Sequence, residues 1–285
     1  MGPGGHRRGP HYDAVVILAH DLAGAGPDVV LLHAGVGDRR LWDRVVPALA
    51  ASRRVLSPDL RGFGASPLPH EPYADADDVA AVMDHVGMTS AVVVGNSHGG
   101  RVALELATLH PERVAALVLL SPALRGFDAG DERLARFGAR EDALLTGGDV
   151  AGAVTLNVDT WLGPAADAAA RTTLTTLQRR AFDVQLAAEA DAAARGVEPG
   201  SARRVEVRPE ALDVPTTVVA GRHDLPHFRA VADHLVATIP GARSRRLAWA
   251  GHLPCLEDPA AAATLLDELV GDATFATHPR RTMTS

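Results

Sequence analysis

The stretch VVVGNSHGG, residues 92–100, gives the clearest indication of the fold of this chain. Three β-branched residues end an apolar run, and a serine follows between glycines. A G-x-S-x-G pattern places its serine on a strained turn from a strand to a helix, where side chains at the flanking positions would clash. The stretch therefore predicts a strand at 91–94, a helix from Gly99 to Leu109, and an activated hydroxyl at Ser97.

Strands and helices alternate on both sides of this turn. The predicted strands lie at 14–22, 29–33, 55–58, 91–94, 114–120, 215–220 and 245–249. The other predicted helices lie at 41–51, 76–86, 228–239 and 259–270. Near-continuous Val and Leu strands are typical of a parallel sheet with helices on both faces. We therefore predict an α/β fold with a mostly parallel, doubly wound sheet.

The alternation stops at Ser121 and returns near Asp213. The intervening sequence is rich in Ala, Arg, Asp and Thr, with helical patterns at 132–145, 150–161 and 165–194 and a weak strand pattern at 204–207. An insertion of this length suits a cap over a site. The expected organisation is an α/β core of 1–121 and 214–271, a helical cap of 122–213 and a disordered tail of 272–285.

Composition excludes several classes of function. A net charge of −7 with only 4% aromatic residues argues against nucleic-acid binding. All 28 basic residues are arginine, so no lysine is available for Schiff-base chemistry or for a P-loop. The single cysteine, Cys255, excludes an internal disulfide and a multi-cysteine zinc site; we interpret it as a small buried side chain.

The chain carries no signal-peptide pattern and no run of about 18 apolar residues that would suit a membrane span. We expect a cytoplasmic protein that uses no cofactor and has neither a membrane nor a nucleic acid as a partner. His223 and His227 flank Asp224 and could suggest a metal cluster. We interpret them as loop-surface histidines, and no metal site is predicted.

A serine nucleophile needs a base and an acid, which follow later strands in the order Ser, Asp, His. GRHD at 221–224 follows the sixth predicted strand, and AGH at 250–252 follows the seventh. Both segments lie at the C-terminal ends of strands, where open parallel sheets bind ligands. We expect His252 to take the Ser97 proton and return it to the leaving group, with Asp224 orienting the imidazole.

The tetrahedral intermediate needs backbone N–H donors around its oxyanion. One donor follows the nucleophile, at His98. The segment LLHAGVG at 31–37 follows a strand, and its small residues leave the backbone accessible. Gly35 is the expected second donor. The His98 side chain is expected to point away from Ser97, so that His98 contributes its N–H rather than its imidazole.

Together, these segments resemble the α/β-hydrolase family. The similar parts are VVLLHAG at 29–35, SPDLRGFGAS at 57–66, VVVGNSHGG at 92–100, GRHD at 221–224 and AGHLPCLEDP at 250–259. They cover most of the chain outside the expected cap. The resemblance implies an α/β-hydrolase fold and a Ser97–Asp224–His252 triad. Ala34 is one departure, because relatives usually carry His-Gly at this point of the oxyanion loop.

Within that family, the residue at the elbow separates the chemistries. Ser97 argues against haloalkane dehalogenases and epoxide hydrolases, which place Asp there. The elbow resembles that of meta-cleavage-product C–C hydrolases, and the layout also resembles 3-oxoadipate enol-lactonases. Leu253 stands where C–C hydrolases usually carry an aromatic residue, which favours an esterase or lactonase.

The expected function is therefore hydrolysis of a small carboxylic ester or lactone through an acyl-enzyme. The alternatives are a C–C bond hydrolase, a cofactor-free perhydrolase on the same triad and a non-catalytic small-ligand receptor. The candidates for the substrate pocket are Trp42, Trp161, Phe182 and Leu253. Side chains of these types are also common in ordinary cores.

Overall fold

The computed structural model describes residues 17–271, and these form one seven-stranded sheet. The strands are β1 His20–Ala23, β2 Asp28–Leu32, β3 Arg54–Pro58, β4 Ala91–Asn96, β5 Val114–Leu120, β6 Thr216–Gly221 and β7 Arg243–Leu247. Their spatial order is β1-β3-β2-β4-β5-β6-β7. Only the β1–β3 pair is antiparallel within this sheet. The predicted mostly parallel α/β fold is confirmed.

Helices connect the strands. They are α1 Val46–Ala50, α2 Asp75–His85, α3 His98–Leu109, α4 Glu132–Thr146, α5 Val150–Trp161, α6 Ala168–Arg195, α7 Pro226–Thr238, α8 Pro254–Glu257 and α9 Pro259–Gly271. The start of the first predicted strand, at 14–16, and the predicted tail at 272–285 lie outside the described residues.

The central strands are buried on both faces. On β4, Val93 packs into one apolar cluster, while Val94 packs into a second cluster on the opposite face. Leu119 and Leu120 of β5 divide in the same way. Successive side chains of a strand point to opposite sides, so both faces need cover. This explains why these strands read as continuous apolar runs.

Helices supply that cover on each face. The cluster that contains Val93, here called the α3-side core, includes residues of α2 and α3. The cluster that contains Val94, here called the α9-side core, includes residues of α1 and α9. Helix α7 contributes to both, through Val231 and Phe228 respectively. The sheet is therefore doubly wound, as predicted.

Four sequence predictions need correction in detail. The first strand, predicted at 14–22, is β1 and spans only His20–Ala23, because residues 17–19 belong to no strand. The helix predicted at 41–51 is divided into a 3₁₀ helix, Arg39–Trp42, and the short α1. Pro47 lies in the first turn of α1. Proline cannot donate a backbone hydrogen bond and clashes with a preceding helical turn, so the two helical segments stay separate.

The weak strand predicted at 204–207 is wrong, because the chain there pairs with no strand. Its alternation has another origin: Val205 and Val207 are half-buried, while Arg204 and Glu206 are exposed. The last strand, predicted at 245–249, is β7 and both begins and ends two residues earlier than predicted. Backbone pairing with β6 defines this edge strand, and four of its five side chains are exposed. An apolar pattern therefore could not show where it starts.

The residues between β5 and β6 contain three α-helices, close to the predicted bounds, and a short 3₁₀ helix, Pro209–Ala211. Each α-helix begins at an aspartate whose side chain accepts a backbone N–H of the first turn, which is a favourable N-cap: Asp131 for α4, Asp149 for α5 and Asp167 for α6. Helix α6 packs against α8 and the 3₁₀ helix Arg39–Trp42. Within residues 17–271, no helix combines the length and apolar content needed to cross a bilayer.

The approach of α3 to β2 gives a test of the fold. A Cβ on Gly99 would overlap the Leu32 carbonyl oxygen and lie 2.7 Å from the His33 carbonyl oxygen. Because backbone must move to relieve this overlap, Gly99→Ala should lower the free energy of unfolding by about 1–3 kcal/mol. Equilibrium unfolding in urea measures the change.

Gly138 offers a matched control on α4, because a Cβ there meets no atom within 4 Å. Gly138→Ala should raise the free energy of unfolding by about 0.5–1 kcal/mol, through the better helix propensity of alanine. Equal effects of the two substitutions would contradict the steric argument.

Candidate active site

Ser97 lies between β4 and α3 in a backbone conformation that few non-glycine residues adopt, with φ 53° and ψ −111°. Such a conformation costs about 1–3 kcal/mol and persists only where the surroundings enforce it. Here the Ser97 N–H donates to the Leu120 carbonyl at 2.9 Å, and the Ser97 carbonyl accepts from Ala123 N–H at 3.0 Å. The end of β5 therefore holds the serine at the carboxyl edge of the sheet.

Glycines around Ser97 make this turn sterically feasible. A Cβ on Gly95 would lie 2.7 Å from the Gly100 nitrogen, and one on Gly100 would lie 2.9 Å from Pro122 Cβ. Real Cβ atoms essentially never come within 3.0 Å of such neighbours. Larger side chains would therefore push α3 away from the sheet.

Asp224 and His252, which are 28 residues apart, meet at the same edge. The His252 Nδ1 lies 3.0 Å from Asp224 Oδ1 and 2.9 Å from Oδ2. Asp224 follows β6, and its Oδ1 also accepts the Leu225 N–H at 2.7 Å. Both side chains are buried. Because Nδ1 faces the carboxylate, Nε2 lies on the opposite side of the ring, where it can accept or donate a proton.

Asn96 joins the loop that carries His252 to the turn that carries Ser97. Its side-chain amide donates to the Leu120 carbonyl at 2.9 Å and to the His252 carbonyl at 3.1 Å. Since Asn96 directly precedes Ser97, one buried side chain joins the ends of β4 and β5 to His252. The sequence analysis assigned no role to Asn96. Its position as a polar residue at the end of an apolar strand could have indicated one.

Gly35 and His98, the two expected oxyanion donors, lie next to each other. A Cβ on Gly35 would be 3.5 Å from His98 Cβ. His33 braces this loop: its Nε2 accepts the Leu60 N–H at 2.9 Å, and its Nδ1 lies 2.9 Å from the Ala34 carbonyl. These partners suit the neutral tautomer with the proton on Nδ1. Burial lowers the pKa of His33, which also favours the neutral ring.

The His98 imidazole faces Arg101. The Arg101 Nη2 lies 3.3 Å from His98 Nε2, and the same guanidinium pairs at 2.7 Å with Asp75 and Glu105. Burial, together with the Arg101 charge, holds the pKa of His98 well below its usual value. The ring therefore stays neutral and is engaged away from the Asp224–His252 pair.

Three aromatic side chains, here called the aromatic wall, pack beside His252: Trp161, Phe228 and Phe137. The ring centroids of Trp161 and Phe228 lie 4.7 and 4.2 Å from that of His252, and Phe137 lies 4.8 Å from Trp161. Phe137 and Phe228 were not among the predicted pocket residues. Phe228 lies in the first turn of α7, four residues after Asp224. Its closeness to Asp224 in the sequence could have indicated that it lies near His252.

The four predicted pocket residues all belong to the α9-side core. Trp161 contacts His252. Trp42 and Leu253 have no exposed surface, and Phe182 is 6% exposed. The structure thus brings the four into one cluster and places Trp161 directly at the histidine.

Among the described residues, no group of three or more His, Cys, Asp or Glu side chains could hold a metal ion. Cys255 is buried close to His252 in the sequence. Burial, with the Glu257 charge adding to it, raises the pKa of the Cys255 thiol.

A sequence model of the alpha/beta hydrolase fold matches residues 27–259. Over 123 residues the chain is 41% identical to the 2-hydroxymuconate semialdehyde hydrolase of Pseudomonas sp. strain CF600. That match covers 39% of this chain and 43% of the relative, so it spans less than half of either protein.

Solved structures match over more of the chain. A malate-bound thermophilic esterase from Thermogutta terrifontis superposes with a TM-score of 0.73 at 25% identity, over 90% of this chain and 93% of that one. Est816, described as an N-acyl homoserine lactone degrading enzyme, superposes with a TM-score of 0.69 at 28% identity, over 89% and 96%.

The thiol gives a test of this part of the structure. Because Cys255 is fully buried and its pKa is raised, the reactive thiolate is scarce at pH 8. The native protein should therefore react slowly with Ellman's reagent, and one equivalent should react at once in guanidinium chloride. Rapid labelling of the native protein would contradict the burial of this side chain.

Proposed function

Because this chain belongs to the alpha/beta hydrolase fold family, we propose that it is a serine hydrolase that cleaves a small carboxylic ester or lactone through an acyl-enzyme. The observation that carries the proposal is the buried Asp224–His252 pair at the same sheet edge as the strained Ser97 turn. Strain at a polar residue and a histidine with a buried carboxylate partner are both typical of active sites.

In the first half of the reaction, Ser97 Oγ attacks the carbonyl carbon and His252 Nε2 takes its proton. Asp224 stabilises the resulting imidazolium through Nδ1. The backbone N–H groups of Gly35 and His98 hold the oxyanion. The tetrahedral intermediate then expels the alcohol oxygen, which receives the proton from His252, and leaves the acyl group on Ser97.

In the second half, His252 removes a proton from water as the water attacks the acyl carbonyl. The second tetrahedral intermediate uses the same two oxyanion donors. Its collapse breaks the bond to Ser97 Oγ, which regains a proton from His252, and releases the carboxylic acid. Atoms balance without a cofactor, because water is the only second substrate.

We propose that residues 122–213 form a cap over this site. Two members of the aromatic wall, Phe137 on α4 and Trp161 on α5, come from this segment. The third, Phe228, comes from the α/β core. A wall assembled from both parts suits an apolar acyl or alcohol group beside the catalytic histidine.

Substitution of the triad tests the chemistry. With short p-nitrophenyl esters, Ser97→Ala should lower kcat by about 10⁴- to 10⁶-fold, because the nucleophile is lost. Asp224→Asn should lower kcat by about 10⁴-fold, because the amide no longer holds the required histidine tautomer. Ser244→Ala, on the exposed part of β7, is the matched control and should hydrolyse the esters at the wild-type rate.

A fluorophosphonate probe tests the nucleophile separately. Intact mass should rise by one adduct in the wild type and not at all in Ser97→Ala. Equal ester hydrolysis by wild type and Ser97→Ala would overturn the proposal. An unlabelled wild type without esterase activity would instead favour a small-ligand receptor.

A C–C bond hydrolase is the second candidate, favoured by the 41% identity over 123 residues to a 2-hydroxymuconate semialdehyde hydrolase. A panel of vinylogous dienoic acids, assayed beside the ester series, separates the two. We expect kcat/KM to be higher for the esters, because Leu253 supplies no aromatic ring after His252. Higher kcat/KM for the dienoic acids, lost in Ser97→Ala, would assign the C–C reaction.

A further inference from the structure

Glu257 is a buried carboxylate outside the proposed triad. It ends α8, five residues after His252, and is 3% exposed. Its Oε2 accepts the Gly251 N–H at 2.6 Å, and its Oε1 accepts the Leu253 N–H at 2.9 Å. The two residues that flank His252 are therefore held by the two oxygens of one side chain.

This arrangement controls the backbone on both sides of the histidine. Buried N–H groups without an acceptor cost free energy comparable to a lost hydrogen bond. Hydrogen bonds to a carboxylate are short and about twice as strong as neutral ones. The His252 carbonyl is meanwhile fixed by Asn96. The loop thus has little freedom to rotate the imidazole away from Asp224.

The same carboxylate is also contacted from residues 122–213. The turn after α5 brings Gly163 against this side chain: a Cβ on Gly163 would overlap Glu257 Oε2 and lie 2.6 Å from the Gly251 nitrogen. Trp161, two residues before Gly163, stacks near His252. One carboxylate therefore joins the helical insertion to both neighbours of the histidine.

We propose that Glu257 is a positioning residue, which holds the His252 loop in its working geometry and couples that geometry to the Gly163 turn of the insertion. This inference rests on the proposed role of His252 as the general base. Glu257 itself touches neither the substrate nor the reacting atoms.

The role predicts a dependence on pH. Burial raises the pKa of Glu257, although the N–H groups of Gly251, Leu253 and Gly163 oppose the shift. The titratable groups that face it are His252 and Cys255, and Asp224 faces His252 from the other side. As pH falls, protonation turns one acceptor oxygen into a hydroxyl, which cannot bind its N–H in the same way. Activity should therefore fall on the acid side.

Glu257→Gln tests this role with little change in shape. Its carbonyl oxygen can accept only one of the two N–H groups, and its amide nitrogen faces the other. Misplacement of a reacting group by about 1 Å costs up to about a hundredfold in rate. We expect kcat for p-nitrophenyl esters and the rate of Ser97 labelling by fluorophosphonate to fall tenfold or more, to about that limit, with KM little changed.

The decisive measurement is the pH profile of kcat/KM, and in particular its acid limb, where activity falls as the pH is lowered. In Glu257→Gln the titration of this buried carboxyl disappears. The acid limb should therefore shift to lower pH. A variant destabilised on the other face of the sheet, Met83→Ala in the α3-side core, should lower the Tm without moving the limb.

Gly163→Ala places a methyl group against the same carboxylate from the side of the insertion. It replaces no residue of the His252 loop. It should slow Ser97 labelling, whereas Gly138→Ala on α4 should not. If Glu257→Gln does not fold, a wild-type labelling rate in Gly163→Ala still overturns the coupling to the insertion.

The outcomes separate this inference from the proposed function. If Ser97→Ala retains esterase activity, the proposed function fails. If Ser97→Ala is inactive but Glu257→Gln keeps the wild-type kcat and acid limb, only the role of Glu257 is overturned. That role is also overturned if Glu257→Gln is slowed with an unmoved acid limb, as expected of general destabilisation, or if Gly163→Ala labels at the wild-type rate.

Discussion

The close contact between the start of α3 and the ends of β2 and β4 is the constraint on which the rest of the structure depends. Backbone meets backbone there, because Gly95 and Gly99 present no Cβ. Only at this distance can Ser97 stand at the sheet edge with its N–H on Leu120 and its carbonyl on Ala123. The adjacent His98 then lies beside Gly35, so the Ser97 turn and the expected oxyanion loop depend on the same contact.

Around this contact, buried polar side chains hold loops that no regular element supports. His33 binds the Ala34 carbonyl and the Leu60 N–H, Asn96 binds the His252 carbonyl, and Glu257 binds the residues that flank His252. Buried polar networks of this kind rigidify a site when each member has a partner. The carboxyl edge of the sheet is thus ordered mainly by hydrogen bonds, while the body of the sheet is ordered by apolar packing.

Much of the fold was predictable because its signals are local. The Val-rich β4 and β5, the glycine turn at Ser97 and the aspartate N-caps of the inserted helices depend on neighbouring residues in the chain. Prediction failed where local pattern and tertiary contact diverge. The charged 204–207 segment alternates without pairing, and β7 is defined by backbone bonds to β6 rather than by buried side chains.

Local patterns in the sequence were enough to predict the order of the elements and to select Ser97, Asp224 and His252 as the proposed catalytic residues. They were enough because each of these residues follows a strand, and parallel strands end at one edge. The tertiary contacts show in addition that the His252 ring meets Asp224, that Phe137 and Phe228 complete the aromatic wall, and that Glu257 reaches both Gly251 and the insertion. Those contacts depend on the pairing of β6 with β7 and on the path of the loops, which bring together residues whose separation along the chain leaves no local pattern.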